Sequence, residues 1–316
     1  MNVPHRVAGC RVLVGLLVVF LVMGGPLPRS GAGEVPKIGT APHPPDDAQS
    51  TTGPTPPSGV EIAGSVAVSK TAVVIGGVPA YIWRYGCGPT AAGMVVGYWD
   101  THGYDWLIPG NASSQTVAVN EAIASSQGAA NHYDDYALPI DIPPDLVPDL
   151  SEPPAGDEHS DNRIADFMRT SQSARSNYYG WSWFSDVTPA FTGYFQTVTP
   201  AGYHLLNRSL RMSNGSLNWD EFRAEIDARH PVVLLVDTDG NGSTDHFITA
   251  IGYDPAGQLY AALNTWDTSV HWFPFAAMGG GRTWSIYGAV TFAIVGPYTV
   301  HLPLAMKRSV LSRLTY

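Results

Sequence analysis

Apolar residues recur at helical spacing through the first part of the chain and in short solid runs through the last. Over 87–99, Ala91, Met94, Val95 and Tyr98 fall on one helical face. Gly88-Pro89 fits the first turn there, where proline's missing N–H costs nothing. Similar spacing predicts helices over 116–125, 162–170 and 186–195, the last with Thr188-Pro189 at its start. Residues 218–229 carry a fuller set of helix signals. Asn218 can cap, and Asp220 and Glu221 lie in the first turn, where carboxylates complement the positive dipole end. After His230 the texture changes to strands. Residues 232–236 form a buried-type apolar run, and 246–253, 259–264, 270–273 and 287–295 follow, separated by Gly and Asp-Pro turns. Residues 66–74 read as a strand pair or a strand end. Helices first and antiparallel strands afterwards imply an α+β fold in two halves with a cleft between them.

The two ends of the chain read differently. His5, Arg6 and Arg11 precede an apolar run over 12–23, broken only by Gly15. As a helix that run spans about 18 Å, short of a hydrocarbon core of roughly 30 Å. Residues 1–32 therefore read as a signal peptide, with Ser30-Gly31-Ala32 offering a cleavage site after Ala32. Val7-Ala8-Gly9-Cys10 resembles a lipoprotein box but precedes the apolar run instead of following it, so lipidation at Cys10 is disfavoured. Residues 33–60 mix seven prolines with Ser, Thr and Gly and hold almost no large apolar side chain. Such a stretch cannot bury enough surface to offset its ordering entropy, so it reads as a linker, either a spacer or a removable pro-segment. The folded domain is expected over 61–298, interrupted by a Pro-rich acidic surface loop over 139–161, with a tail over 299–316.

Composition narrows the class. With 44% hydrophobic and 11% aromatic residues, wholesale disorder is excluded. Charged residues make up only 14%, against roughly 25% in soluble domains, which fits an exported protein. The net charge is −10 from 17 basic and 27 acidic side chains. Loss of Arg6, Arg11 and Arg29 with the signal peptide would take the basic count to 14 and the net charge to −13. No basic footprint for nucleic acid remains, and neutral or basic substrates are mildly favoured. The expected localisation is outside a bacterial cell, secreted or at the surface, without membrane attachment after signal cleavage. No cofactor is expected, and the oligomeric state is open. Two cysteines, Cys10 and Cys87, rule out a disulfide framework. After cleavage Cys87 is alone, either an inert buried side chain or a thiol kept reduced for chemistry.

Three positions carry candidate chemistry. Cys87 starts the helix in Tyr85-Gly86-Cys87-Gly88-Pro89-Thr90, where free N–H groups and the positive dipole end stabilise a thiolate, and flanking glycines admit a substrate backbone. The competing reading is a small buried hydrophobe. His246 opens a strand in Asp245-His246-Phe247-Ile248-Thr249, where an imidazole can take and return a thiol's proton; the competing reading is a satisfied turn histidine. Asn264 ends the next strand, and a short turn over 254–258 would bring it near His246, where an amide can fix the ring's tautomer. Trp266 could shield that bond, and Asp267 competes for the same role. The competing reading of Asn264 is a turn residue.

Together these segments resemble the papain-like cysteine peptidase superfamily, and more closely its secreted bacterial members related to the bacteriocin-processing, double-glycine peptidases. YGCGPTAAGMVVGYWD (85–100) is similar to the nucleophile helix, DHFITAIGYD (245–254) to the histidine strand, and LNTWD (263–267) to the third-member segment. NHYDDYALPID (131–141) and ADFMRTSQS (165–173) also have the family's look, without a catalytic role to attach. The resemblance implies a papain-like α+β fold, with a helical half carrying the Cys helix and a β half carrying His and Asn. It implies Cys87 as nucleophile, His246 as acid/base and Asn264 as orienting group of a secreted thiol peptidase acting on a protein or peptide through an acyl-enzyme. A thiol amidase or acyl transferase on cell-wall peptides or crosslinks, and an inactive binding module of the same fold, are the alternatives. One departure stands out. The family usually has a Gln about six residues before the Cys as oxyanion donor; here that position is Tyr81, and no Gln lies between Val66 and Cys87. The backbone N–H of Cys87 would then need a helper, from Tyr81 or Trp83.

Residues 237–245, Asp-Thr-Asp-Gly-Asn-Gly-Ser-Thr-Asp, match the start of a calcium loop, with oxygen side chains at loop positions 1, 3, 5 and 9 and Gly at 6. Position 12 is Ile248 rather than a bidentate Glu, and a strand follows instead of a helix. A turn between two strands is the favoured reading, and no metal ligand is assigned. Metal sites at His132, Asp134 and Asp135, or at Asp157, Glu158 and His159, are weaker still.

Overall fold

The computed structural model describes residues 44–62, 66–125, 161–172 and 175–296. The expected signal peptide, the first part of the expected linker, the 131–141 motif, the acidic loop through residue 160 and the C-terminal tail lie outside them. In chain order the elements are β1 (Val73–Val74), α1 (Cys87–Thr101), α2 (Val117–Ile123), α3 (Ile164–Phe167), α4 (Phe184–Val198), β2 (His204–Arg211), α5 (Trp219–Asp227), β3 (Val232–Asp237), β4 (His246–Asp254), β5 (Leu259–Leu263), β6 (His271–Pro274) and β7 (Ser285–Val295). The fold is α+β.

The strands form one antiparallel sheet in the order β2-β7-β3-β4-β5-β6. β1 pairs with β4 at Gly252 and Tyr253, past the end of the β3 pairing at Ala250. The core explains why β3 reads as a solid apolar run. Val233 and Leu235 face the layer of α1 to α4, while Val232, Leu234 and Val236 face the layer that holds Phe222 and Ile226 of α5. Side chains alternate across a strand, so a strand covered on both faces has no polar side. Gly252 is required where β1 crosses: a Cβ there would stand 2.4 Å from the Val73 carbonyl oxygen.

α1 is the central helix and is buried on nearly every side. Its glycines admit neighbours that a methyl would block. A Cβ at Gly93 would stand 2.5 Å from Ile123, and one at Gly97 would stand 2.2 Å from the Tyr81 hydroxyl. On its sheet side the Thr249 hydroxyl donates to the Ala91 carbonyl at 2.9 Å, which fixes α1 against β4.

Four expectations need correction. The helix over 162–170 is the single turn Ile164–Phe167; Arg169 (φ 53°) and Ser171 (φ 62°) adopt left-handed backbone that ends it. The helix expected from 186, with Pro189 in its opening turn, begins at Phe184 and carries Pro189 in its interior. Its first N–H groups find partners far away in sequence: Phe184 N–H donates to the Ala48 carbonyl (2.8 Å) and Ser185 N–H to the Asp47 carboxylate (3.2 Å). The strand β2 was not expected. It lies on the sheet edge, half exposed, with charged Arg208 and Arg211 along it. Finally, part of the stretch expected as linker, residues 46–53, packs on the domain through the contacts described below.

Candidate active site

The turn before α1 is built to present Cys87. Tyr85 takes a φ of 53° and Gly86, the N-cap, a φ of 155°. A Cβ on Gly86 would stand 2.9 Å from both Pro89 and Thr170. Thr90 ties the turn from inside: its hydroxyl donates to the Gly86 carbonyl (2.6 Å) and accepts from Arg84 N–H (2.8 Å). Met168 and Thr170, in the 165–173 motif, back this turn, and Thr170 shares a hydrogen bond with Ser182 (2.7 Å). That motif, with no role assignable from sequence, props up the cysteine loop.

Cys87 and His246 come together although 159 residues separate them in sequence. Phe247 N–H donates to the Cys87 sulfur at 3.4 Å. The hydroxyls of Thr52 (3.8 Å) and Ser50 also bond to it. The thiol has no exposure. Burial pushes its pKa up, and the three hydrogen bonds only partly oppose that.

The imidazole is held on both nitrogens. Nε2 lies 2.6 Å from the Asn264 backbone carbonyl. A carbonyl only accepts, so Nε2 carries the proton and Nδ1 is left with a lone pair. Nδ1 lies 2.6 Å from the Thr52 hydroxyl, which also approaches the Asp245 carbonyl at 2.9 Å; the hydroxyl's single proton serves only one of Nδ1, that carbonyl and the sulfur at a time. Trp266 stacks on the ring, with centroids 3.7 Å apart and an interplanar angle of 13°. Complete burial lowers the His246 pKa to about 3, with the Asn264 carbonyl opposing. Burial thus favours the neutral form of both the thiol and the imidazole, which both lie against the Thr52 hydroxyl.

Asn264 meets His246 differently from the sequence expectation. Its side-chain oxygen accepts from Trp266 N–H (2.9 Å) and Asp267 N–H (3.0 Å), forming an Asx turn after β5. Its side-chain Nδ2 is buried with no partner among the described residues. The contact to the ring is made by the backbone carbonyl. Asp267, the competitor, is engaged elsewhere, accepting from His271 at 2.8 Å.

The two oxyanion helpers are also separated. The Tyr81 hydroxyl donates to the Ala112 carbonyl, against the Gly97 face of α1, and is spent there. Trp83 hangs beside the site: its N–H donates to the Thr265 carbonyl (2.7 Å), and its ring lies against Gly180. Its indole N–H is buried and has no partner among the described residues.

The acidic loop over 237–245 closes on its own amides. Asp237 accepts from Gly240 N–H (2.7 Å) and Gly242 N–H (2.9 Å), and Asp239 from Asn241 N–H (3.0 Å). Asp245 accepts from Thr238 through both its N–H (2.9 Å) and its hydroxyl. These bonds aim the Asp245 carbonyl into the site and fix the start of β4, where His246 sits.

Two features near the pair escaped the sequence reading: Ser50 and Thr52, from the supposed linker, and Ser182, just before α4. Hydroxyl residues in loops carry no periodic signal, and nothing in the sequence pairs residue 52 with residue 246.

No curated protein matches the chain. A family model, described as the Peptidase_C39 like family, matches residues 75–291, spanning α1 with Cys87, the head of β4 with His246 and the turn with Asn264. The match covers most of the chain, so the chain belongs to the Peptidase_C39 like family, a cysteine-peptidase type of hydrolase related to the papain-like superfamily.

Proposed function

We propose that the protein is an exported thiol peptidase that cleaves peptide bonds through an acyl-enzyme on Cys87. The observation that carries this reading is the thiol at the N-terminus of α1 beside an imidazole whose far nitrogen is held by a carbonyl. That carbonyl keeps the proton on Nε2, so Nδ1 is the nitrogen that can act as base once the Thr52 hydroxyl has left it. In the working site Nδ1 takes the Cys87 proton, and the sulfur adds to the substrate carbonyl carbon. The resulting imidazolium then gives its proton to the departing amine, and water, deprotonated by the same nitrogen, releases the acid. Trp266 keeps solvent off the ring.

For the developing oxyanion we assign two donors. One is the Cys87 backbone N–H, which has no intrahelical acceptor at the first position of α1. The other is the indole N–H of Trp83, which has no partner among the described residues, in place of the missing Gln. Asn264 acts as orienting group through its carbonyl. Export rests on the sequence over 1–32; no described helix is long and apolar enough to cross a membrane.

The test is hydrolysis of labelled casein, measured on the chain as expressed and after nicking within 54–59. Loss of the activity in Cys87→Ala, with an unchanged melting temperature, supports the reading. Activity that persists in Cys87→Ala overturns it.

A further inference from the structure

A peptidase must let a carbonyl carbon come within about 3–3.5 Å of its nucleophile. Here Cys87 and His246 have no exposure at all, and the chain's own segment over 48–53 lies against them, with the Ser50 and Thr52 hydroxyls at the sulfur and Thr52 at Nδ1. The segment lies extended between two walls and bonds to each through backbone. On the helical wall, Gln49 bridges Trp183 in antiparallel register, Ser50 N–H donates to the Ser182 carbonyl (2.9 Å), and Phe184 N–H donates to the Ala48 carbonyl. On the sheet wall, the N–H groups of Thr51 (2.8 Å) and Thr52 (3.0 Å) share the Asp245 carbonyl, and the Thr244 hydroxyl donates to the Gln49 carbonyl (2.8 Å). The Trp266 indole N–H holds the Gly53 carbonyl at 3.1 Å. A foreign peptide captured by strand addition is held by bonds of this kind, main chain for affinity and side chains for fit.

We propose that residues 48–53 are an intramolecular inhibitor that occupies the substrate groove as a bound peptide would, and that the thiol works only after this segment has left. The proposal rests on the peptidase reading for what the groove is for. Thr52 is its key residue, with its hydroxyl 2.6 Å from Nδ1 and 3.8 Å from the sulfur, where the thiol's own proton would otherwise pass. Its small hydroxyl neighbours define the class of peptide that fits: extended, with Ser, Thr or Gly beside the thiol. The anchors lie away from the pair. Arg211 donates to the Asp46 carbonyl (3.0 Å) and faces the Asp47 carboxylate (3.7 Å), and the Gln49 amide donates to Asn177 (2.9 Å) and to the Ser176 carbonyl (2.7 Å). Beyond Gly53 the chain is accessible: Pro54, Thr55, Pro57, Ser58 and Gly59 are exposed, so a protease can cut there without entering the fold.

The experiment places a recognition sequence for a highly specific protease at 55–58 in the full chain. Iodoacetamide alkylation of Cys87 is then followed by mass before and after cutting. A second variant, Gln49→Ala with Arg211→Ala, loosens the anchors without a cut. The expected result is slow labelling of the intact chain, acceleration of at least tenfold after cutting and dilution, and a rise in the double variant. A synthetic peptide spanning 44–57 should restore slow labelling. Equal labelling before and after release of the segment overturns the proposal. So does acceleration accompanied by loss of the near-ultraviolet dichroism, because the segment would then be part of the core. Fast labelling without casein hydrolysis leaves the inhibitor in place and removes the peptidase reading. Casein hydrolysis by the intact chain at the rate of the cut chain does the reverse.

Discussion

Replacing Asn264 by alanine separates two ways of holding a catalytic imidazole. If the side-chain amide orients the ring, its loss resembles removing the third member of a catalytic triad, which costs on the order of 10⁴ in kcat where the wrong tautomer results. In the structure the ring is held by the backbone carbonyl, which alanine retains. What alanine removes is the acceptor for Trp266 N–H and Asp267 N–H. Two such bonds are worth about 1–3 kcal/mol together. It also removes the buried Nδ2, without a partner among the described residues, whose desolvation penalty is about 1–3 kcal/mol. The two effects oppose each other, so the expected net loss is below about 2 kcal/mol. That corresponds to less than about 8 °C in melting temperature. The expected drop in kcat/KM is below about tenfold, arising from slack in Trp266, which stacks on the ring. Calorimetry and casein hydrolysis on the released chain measure both quantities. A loss of a thousandfold or more in kcat with an unchanged melting temperature would refute the backbone-carbonyl account and return the role to the amide.

Two aromatic substitutions test the oxyanion assignment against each other. Trp83→Phe removes the indole donor and should lower kcat by about 10²–10³ with little change in KM. Tyr81→Phe removes only the bond to the Ala112 carbonyl, so it should cost about 1–3 kcal/mol of stability and leave kcat within about threefold; the opposite ranking in single-turnover kinetics would reverse the assignment. His246 also makes the fold sensitive to acid. Its folded pKa is about 3, below the ordinary value of about 6.5, so the unfolded chain binds more protons between these values and stability falls as pH drops through that window. Asp186 and Asp245, each raised to about 6 by burial, act in the opposite sense: their contribution is present below their ordinary range and is lost as pH rises toward 6. Urea melts at pH 7, 5 and 4 should therefore show a shallower acid loss in His246→Gln than in the parent, and identical slopes would contradict the buried neutral imidazole.

What was legible in the sequence was what carries a period or a covalent position. α1 announced itself through apolar spacing and Gly88-Pro89, and β3 through an unbroken apolar run that only a doubly covered strand needs. Cys87, His246 and Asn264 were legible as places, but the geometry at Asn264 was not. Whether an asparagine turns its amide to a ring or to two turn N–H groups depends on the exit angle of β5, which no pattern encodes. Tyr81 and Trp83 were equivalent by spacing, and packing against Gly97 decides between them. The start of α4 was missed because its first N–H groups are met by Ala48 and by Asp47, more than a hundred residues earlier. Residues 46–53, inside the expected linker, were misread for a related reason. Composition reports how much apolar surface a segment can bury, and this one is held by main-chain and hydroxyl bonds, to which composition is blind.

The same contacts that hide the site also set its protonation. Water is kept from Cys87 and His246 while residues 48–53 are in place, and it is this lack of water that disfavours both the thiolate and the imidazolium. The Thr52 hydroxyl meanwhile stands 2.6 Å from Nδ1, in the way of the thiol proton. Departure of the segment would change three things at once. Nδ1 is released toward the sulfur, both groups are rehydrated, and the α1 dipole, already aimed at Cys87, can stabilise the thiolate. Access and reactivity are therefore not separate switches in this fold. The alkylation profile of the released chain should show it in one titration, with labelling extending well below the thiol's ordinary range and losing that acid arm in His246→Ala.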